Sequence, residues 1–293
     1  MSKKSKWKRF LPLFLFLIGF LVAIYPLISQ YYYRINADEV IQTYIRSVEA
    51  MEQPEIERKL TLAKAYNRTL DPSRLADPFS KEEEEGRVEY ARMLEINEKI
   101  GYVEIPRIGE EIPIYAGTAE AVLRKGAGHL EGTSLPVGGE STHSVITAHR
   151  GLPEAKLFTD LDRMEKGDIF YLHILDRILA YQVDRILTVE PSDFDPVLVV
   201  EGEDYSTLLT CTPLTINTHR LLVRGRRIDY TAPIEEVDIK TRVRSDHYKF
   251  YLMISMMVIL ILIYLILRTV RSMKKGAGSE GNEPSKGEGK DED

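Results

Sequence analysis

The chain has 293 residues, 44% of them hydrophobic and 29% charged, with a formal net charge of −6. That length allows one large domain or two small ones, and the mild acidity leaves no electrostatic footprint for nucleic acid. A single cysteine, Cys211, excludes a disulfide within the chain.

Phe10 to Ser29 carries no charge, and Lys3, Lys4, Lys6, Lys8 and Arg9 precede it. A helix of about 20 apolar residues crosses a bilayer. A cleaved signal peptide has a shorter core, of about 7–15 residues, and a small-residue cleavage site. Tyr31, Tyr32 and Tyr33 stand where that site would fall, so the stretch reads as an uncleaved signal anchor. Phe250 to Leu267 is a second uncharged stretch, followed by Arg268, Arg271, Lys274 and Lys275. The positive-inside rule then predicts cytoplasmic ends at 1–9 and 268–293, with 10–29 and 250–267 spanning. The segment between the two spans becomes a single extracytoplasmic domain.

In chain order, the tyrosine-rich residues 30–36 suit a membrane-interface belt. Val40, Ile41, Tyr44, Ile45 and Val48 recur at helical spacing, predicting a helix from Ala37 to Leu62 that Pro54 splits in two. Asn67 to Ser80 holds two turn signals, Asp71-Pro72 and Asp77-Pro78, and an aromatic, Phe79, that is unusual in so polar a loop. The acidic run Lys81 to Glu85 opens a helical pattern that continues through Tyr90, Met93, Leu94 and Ile96.

From Gly101 the pattern changes to short strands and turns. Strand-like runs are 102–106, 112–116, 144–148, 169–175, 178–189, 205–210 and 221–228. Gly126 to Gly139 reads as loop, and without a following Lys-Ser/Thr it is not a phosphate loop. Leu157 to Met164 reads as a short helix. Many short strands with turns between them predict a β-barrel or sandwich. The tail from Gly276 to Asp293, rich in Gly, Glu and Lys, has the composition of a disordered segment.

Cys211 lies between the last two strand-like runs. Its bland reading is a small buried residue. Against that, Thr207, Thr210 and Thr212 make the neighbourhood polar, and outside the cytoplasm an unpaired cysteine is an intermolecular partner or a free thiol. A nucleophilic cysteine needs activation, usually by histidine. Six histidines are present: His129, His143, His149, His173, His219 and His247. Spacing cannot choose among them. His149 closes a strand and precedes Gly151, as a residue at a barrel rim would; His173 is mid-strand and His247 lies at the membrane edge, while His129 and His143 remain open. Acyl transfer also needs charge or donors where an oxyanion forms. Arg220 is placed for this if the last two strands are neighbours, and is otherwise a surface charge. Alternation puts His219 and Arg220 on opposite faces. No Cys/His spacing for a metal is visible.

Thr207-Leu208-Leu209-Thr210-Cys211 followed by Arg220 resembles the signature of sortases, the cysteine transpeptidases of Gram-positive cell surfaces. Thr142 to Pro153, THSVITAHRGLP, is similar to the segment that carries that family's histidine. Gly128 to Gly139, the C-terminal apolar stretch and Asp77-Pro78-Phe79 resemble class C, the pilus-assembling sortases. The resemblance covers about residues 37–268. It implies a mainly β fold: a closed eight-stranded sortase β-barrel at 101–232, N-terminal helices and a lid at 37–100, and a transmembrane helix on either side. It implies Cys211 as nucleophile, His149 as acid/base, Arg220 as oxyanion partner, and a lid in which Phe79 covers Cys211 and Asp77 pairs with Arg220. Leu214-Thr215 departs from the Tyr-Gly that class C often has there, which bears on the loop after the nucleophile.

The activity so implied is cleavage of an LPxTG-like sorting signal and isopeptide joining of pilin subunits through an acceptor lysine, at the membrane lipid, with no cofactor, metal or nucleic acid. The alternatives are a housekeeping sortase that anchors proteins to the cell wall, a thiol protease with water as acceptor, and a non-catalytic membrane-anchored binding module.

Overall fold

The structure, a computed structural model, describes residues 3–70, 94–230, 253–268 and 271. Asp77, Pro78 and Phe79, the acidic run at 81–85, His247 and the tail at 276–293 lie outside the described residues. The chain divides into two units, Met1–Ile28 with Asp246–Asp293, and Ser29–Ser245.

In the first unit the chain enters helix α1 (Lys3–Glu49). Phe14, Leu15, Phe16 and Val22 are each more than half exposed, so this surface is apolar rather than packed away. Phe14–Glu49 is the one described helix long and apolar enough to cross a membrane. The second expected span appears as a shorter apolar helix, Met253–Arg268. Pro12 and Pro26 stand inside α1, as prolines do in apolar spanning helices. The sequence predicts separate elements at 10–29 and from Ala37, whereas α1 is recorded as one helix. Residues 30–36 contain neither Gly nor Pro, so nothing in them ends it.

In the second unit, Pro54 falls in the first turn of helix α2 (Gln53–Asn67), where its missing N–H costs nothing. Ile56, Leu60 and Ala63 form the buried stripe of α2, at the spacing of an amphipathic helix. Asn67 Nδ2 donates to Leu135 O at 3.1 Å, and Leu135 N donates to Asn67 Oδ1 at 2.7 Å, tying the end of α2 to the barrel. Near the C-terminal end of α1, the buried Tyr44 hydroxyl donates to Ile100 O and accepts from Leu175 N.

Eight strands close a barrel: β1 (Lys99–Ile105), β2 (Glu110–Ala116), β3 (Ala127–His129), β4 (Thr142–Thr147), β5 (Ile169–Ile174), β6 (Arg177–Val189), β7 (Asp204–Thr212) and β8 (His219–Ile228). Their order around the wall is β1-β2-β3-β4-β7-β8-β6-β5. Closure leaves no sheet edge. Two neighbouring pairs are parallel, β2 with β3 and β4 with β7, and parallel neighbours need crossovers. The first crossover carries the short helix α3 (Glu120–Leu123). The second contains β5 and β6. Val103, Ile105, Ile112, Ile114, Ile146 and Leu208 help fill the interior. Outside it, Leu130, Val145, Val197, Leu209 and Leu222 form a second apolar cluster. Strands β4 and β7 are therefore buried on both faces although much of their sequence is Thr, Ser and His, and their buried polar side chains bond one another.

Three sequence expectations fail here. At Leu94 and Ile96 the expected helical pattern is instead a turn and an isolated bridge from Ile96 to Lys99. The glycine-rich stretch read as loop contains β3, where a Cβ on Gly128 would collide with the Gly117 carbonyl; the glycine marks a close backbone approach within a strand. The helix expected at Leu157 to Met164 is a turn followed by one 3-10 turn, Leu161–Arg163. Leu157, at φ +44°, does not adopt helical geometry.

Candidate active site

Cys211 lies in the last turn of the pleat of β7, directly opposite Arg220 at the start of β8. Residues paired across antiparallel strands point to one face with Cβ atoms about 5 Å apart. Both are buried, each 7% exposed. The Arg220 guanidinium donates through Nη1 to the carbonyl oxygens of Asn217 and His219, both at 3.1 Å, which holds it at this end of the barrel. His219, one position earlier, is exposed, as alternation predicts.

His149 follows the end of β4. The last β4–β7 pair is Thr147 with Leu209, an offset of 62 residues. His149 follows the last paired residue of β4 by two positions, as Cys211 follows that residue's partner, Leu209, on β7. Bonds to Ala148 extend the contact one residue past the ladder: Ala148 N donates to Leu209 O at 3.2 Å, and the Thr210 side-chain Oγ1 donates to Ala148 O at 2.7 Å. The His149 side chain is 17% exposed, and its Nε2 lies 3.0 Å from Glu120 Oε2 on α3. Arg124 Nε donates to the other oxygen of that carboxylate at 2.7 Å. Its slight burial pushes the Glu120 carboxyl up, but the Arg124 guanidinium and the His149 imidazole together outweigh this and hold it below the usual range.

The other described histidines have different work. His129 is fully buried and its Nε2–H donates to Ser134 O at 2.7 Å. His143 Nδ1–H donates to Leu198 O, and Nε2 accepts from the Thr207 hydroxyl at 2.7 Å. Burial pushes both down to about 4, so both are neutral structural groups. His173 stacks on Tyr102 and pairs with Glu104 at 2.9 Å, on strands β5 and β1.

The threonines that make β7 look polar lace it to its neighbour. Thr207 serves His143, Thr210 serves Ala148, and Thr212 Oγ1 accepts from Arg150 Nη1 at 3.0 Å. Arg150 is the residue that sequence reasoning missed. Its side chain is largely buried, donates to Thr159 O, and pairs with Asp162. It thereby fastens the segment after His149 to the residue after Cys211. Leu214 adds an apolar link, because a Cβ on Gly151 would sit 2.7 Å from Leu214 Cδ1. Arg150 carried no sequence signal, since nothing in the spacing joins 150 to 212.

The closed eight-stranded barrel with Cys211 and Arg220 paired at one strand end is a fold shared with known proteins. The sortase domain profile matches residues 103–228. Sortase C of Streptococcus pneumoniae is 63% identical with a TM-score of 0.62, covering 67% of this chain and all of that one. A pilus-related sortase C of Group B Streptococcus is 54% identical with a TM-score of 0.62, covering 64% of this chain and 97% of that one. Among curated relatives, sortase A of Bacillus anthracis is 27% identical over 132 residues, 45% of this chain and 61% of that protein. Sortase D of Bacillus subtilis is 27% identical over 137 residues, 46% of this chain and 66% of that protein. The matched stretch thus spans under two thirds of those curated relatives. The chain belongs to the sortase family, the cysteine transpeptidases.

Proposed function

We propose that this sortase is a class C enzyme that joins pilin subunits by isopeptide bonds, with Cys211, His149 and Arg220 as its reactive groups. The observation that carries the reading is the direct pairing of Cys211 with Arg220 at the end of the β7–β8 ladder, with His149 two residues past the last β4–β7 pair. The similarity to pilus-related streptococcal sortases C supports the choice of substrate class.

The Cys211 thiolate attacks the Thr carbonyl of an LPxTG-like signal, and the carbonyl oxygen becomes an oxyanion. Arg220 stabilises that charge from across the ladder, as positioned donors do in acyl transfer. The Thr–Gly bond breaks as His149, in its protonated form, gives its proton to the leaving Gly amine. A thioacyl-enzyme and a neutral imidazole remain. A lysine amine of the next pilin then attacks the thioester, His149 takes its proton, and Cys211 leaves as thiolate. Isopeptide bond and starting enzyme result. Two easier steps replace one hard one.

In this reading the α1 segment at 10–29 and the second apolar helix both cross the membrane, which keeps the barrel and its membrane-tethered substrates at one extracytoplasmic surface. Support comes from the exposed apolar side chains of both helices, Phe14 and Phe16 on one and Met256 and Met257 on the other. The lid reading, with Phe79 over Cys211 and Asp77 toward Arg220, rests on the Asp-Pro-aromatic element of the sequence.

The test is incubation of the full chain with sortable pilins, followed by mass spectrometry of the products. Pilin–pilin isopeptide ladders that vanish with Cys211→Ala are the expected result. Linkage to cell-wall precursor alone would favour a housekeeping sortase, and hydrolysis alone a thiol protease.

A further inference from the structure

Glu120 has no part in the family reading above, yet its carboxylate is bonded to the imidazole of His149. It rides on an anchored element. Leu123 of α3 is 1% exposed, Gly126 N donates to Val122 O, and Tyr33 Oη donates to Lys125 O at 3.0 Å. The carboxylate is steadied in turn by Arg124. The backbone position of Glu120 therefore follows from the first crossover, and its half-exposed carboxylate is held between Arg124 and His149.

We infer that Glu120 is a positioning residue for the acyl transfer, orienting the His149 ring and fixing which of its nitrogens carries the exchangeable proton. An ionised carboxylate only accepts hydrogen bonds. The nitrogen facing it, Nε2, must then hold its hydrogen in both charge states of the ring. In the neutral ring the basic lone pair is left on Nδ1, so Nδ1 is the atom that gives the proton to the leaving amine and takes one from the acceptor lysine. Among the described residues, the nearby cations have other partners: Arg150 is committed to Asp162 and Thr212, and Arg124 binds the far oxygen of Glu120. Glu120 is half exposed, so the effect is modest in size.

The inference rests on His149 being the acid/base of the proposed reaction, and its test has one arm that needs no substrate. The full chain, labelled with ¹⁵N-histidine in detergent, is compared with Glu120→Ala, Glu120→Gln and Glu120→Asp, the His149 signals being assigned by their loss in His149→Gln. In the parent, neutral His149 is expected as the Nε2–H tautomer. Glu120→Gln, which keeps an acceptor oxygen, should retain it, and Glu120→Ala should give a mixture. In peptide turnover, Glu120→Ala should lower kcat about fivefold, the scale of an exposed charge contact, with KM unchanged, and Glu120→Asp should recover part of the loss. Parental tautomer in Glu120→Ala, or altered tautomer with parental kcat, would overturn the inference. Absence of any turnover in the parent would instead overturn the transpeptidase reading, with the tautomer arm still decisive for the pairing.

Discussion

Cys211 and Arg220 are direct partners across the β7–β8 ladder, pointing to the same face at one end of the barrel. The chain turns between them through residues 213–218, and Arg220 Nη1 donates back to Asn217 O in that turn. In the proposed reaction, a guanidinium so placed would serve the charge that develops on a carbonyl attacked by the thiol.

Replacing Arg220 should therefore affect turnover far more than folding. Arg220→Ala is expected to lower kcat by about 10²–10³, the scale for loss of an oxyanion donor. Arg220→Lys should recover little, because an ammonium lacks the planar fork. Steady-state kinetics with an LPxTG-like peptide, read beside circular dichroism, checks both.

Arg150 should behave as a fastener. Arg150→Ala removes charge-assisted bonds to Thr212 and Asp162, at a cost of about 2 kcal/mol. It should also loosen the segment bearing His149 relative to Cys211. Thermal melts should show the destabilisation, and kcat should fall while Arg220→Lys-type losses stay distinct in the double variant. Parental melting temperature and kcat would show that the contacts contribute nothing.

The barrel should weaken on mild acidification. His129 and His143 are held neutral by burial, each pushed down to about 4, whereas an unfolded histidine titrates near pH 6.5. Between about pH 6.5 and 4 the unfolded chain binds protons that the folded chain refuses, so stability falls as pH falls. The contribution is complete above about pH 6.5 and is at most about 3 kcal/mol for each group. Asp204 and Glu111, pushed up chiefly by burial, act in the opposite sense. The specific comparison is His143→Gln, which should melt lower at pH 7.5 but lose less between pH 7.5 and 5 than the parent. An equal loss in both would remove His143 from the account.

The lid reading concerns Phe79 and Asp77, which flank Pro78 in a polar segment. Phe79→Ala and Asp77→Ala should each speed alkylation of Cys211 by a small thiol reagent. Equal rates in variants and parent would sink it.

Most of the barrel was legible because its strands announce themselves by burial. The β5–β6 and β7–β8 pairs are bounded by turn residues and their apolar runs match the ladder closely. Strand β3 was not legible: three residues long and glycine-bearing, it pairs only because Gly128 admits the Gly117 backbone. The helix at Leu157 failed because four apolar residues there, including Phe158 and Leu161, are buried one by one from an irregular turn. At the site, the edge position of Arg220 followed from strand neighbours. The approach of the β4 end, just before His149, to β7 did not, since it depends on a parallel β4–β7 pairing that no local pattern encodes. Glu120 and Arg150 were invisible for the same reason. Glu120 with Arg124 reads as an ordinary i,i+4 surface pair, and Arg150 finds Thr212 only through the second crossover.

The most direct test is the intact mass of the full chain after brief exposure to an LPxTG-like peptide. The account predicts an adduct of the peptide through its Thr, carried by Cys211, and discharged faster by an added amine than by water. It predicts none in Cys211→Ala. An adduct on another residue, or turnover that survives Cys211→Ala, would contradict it.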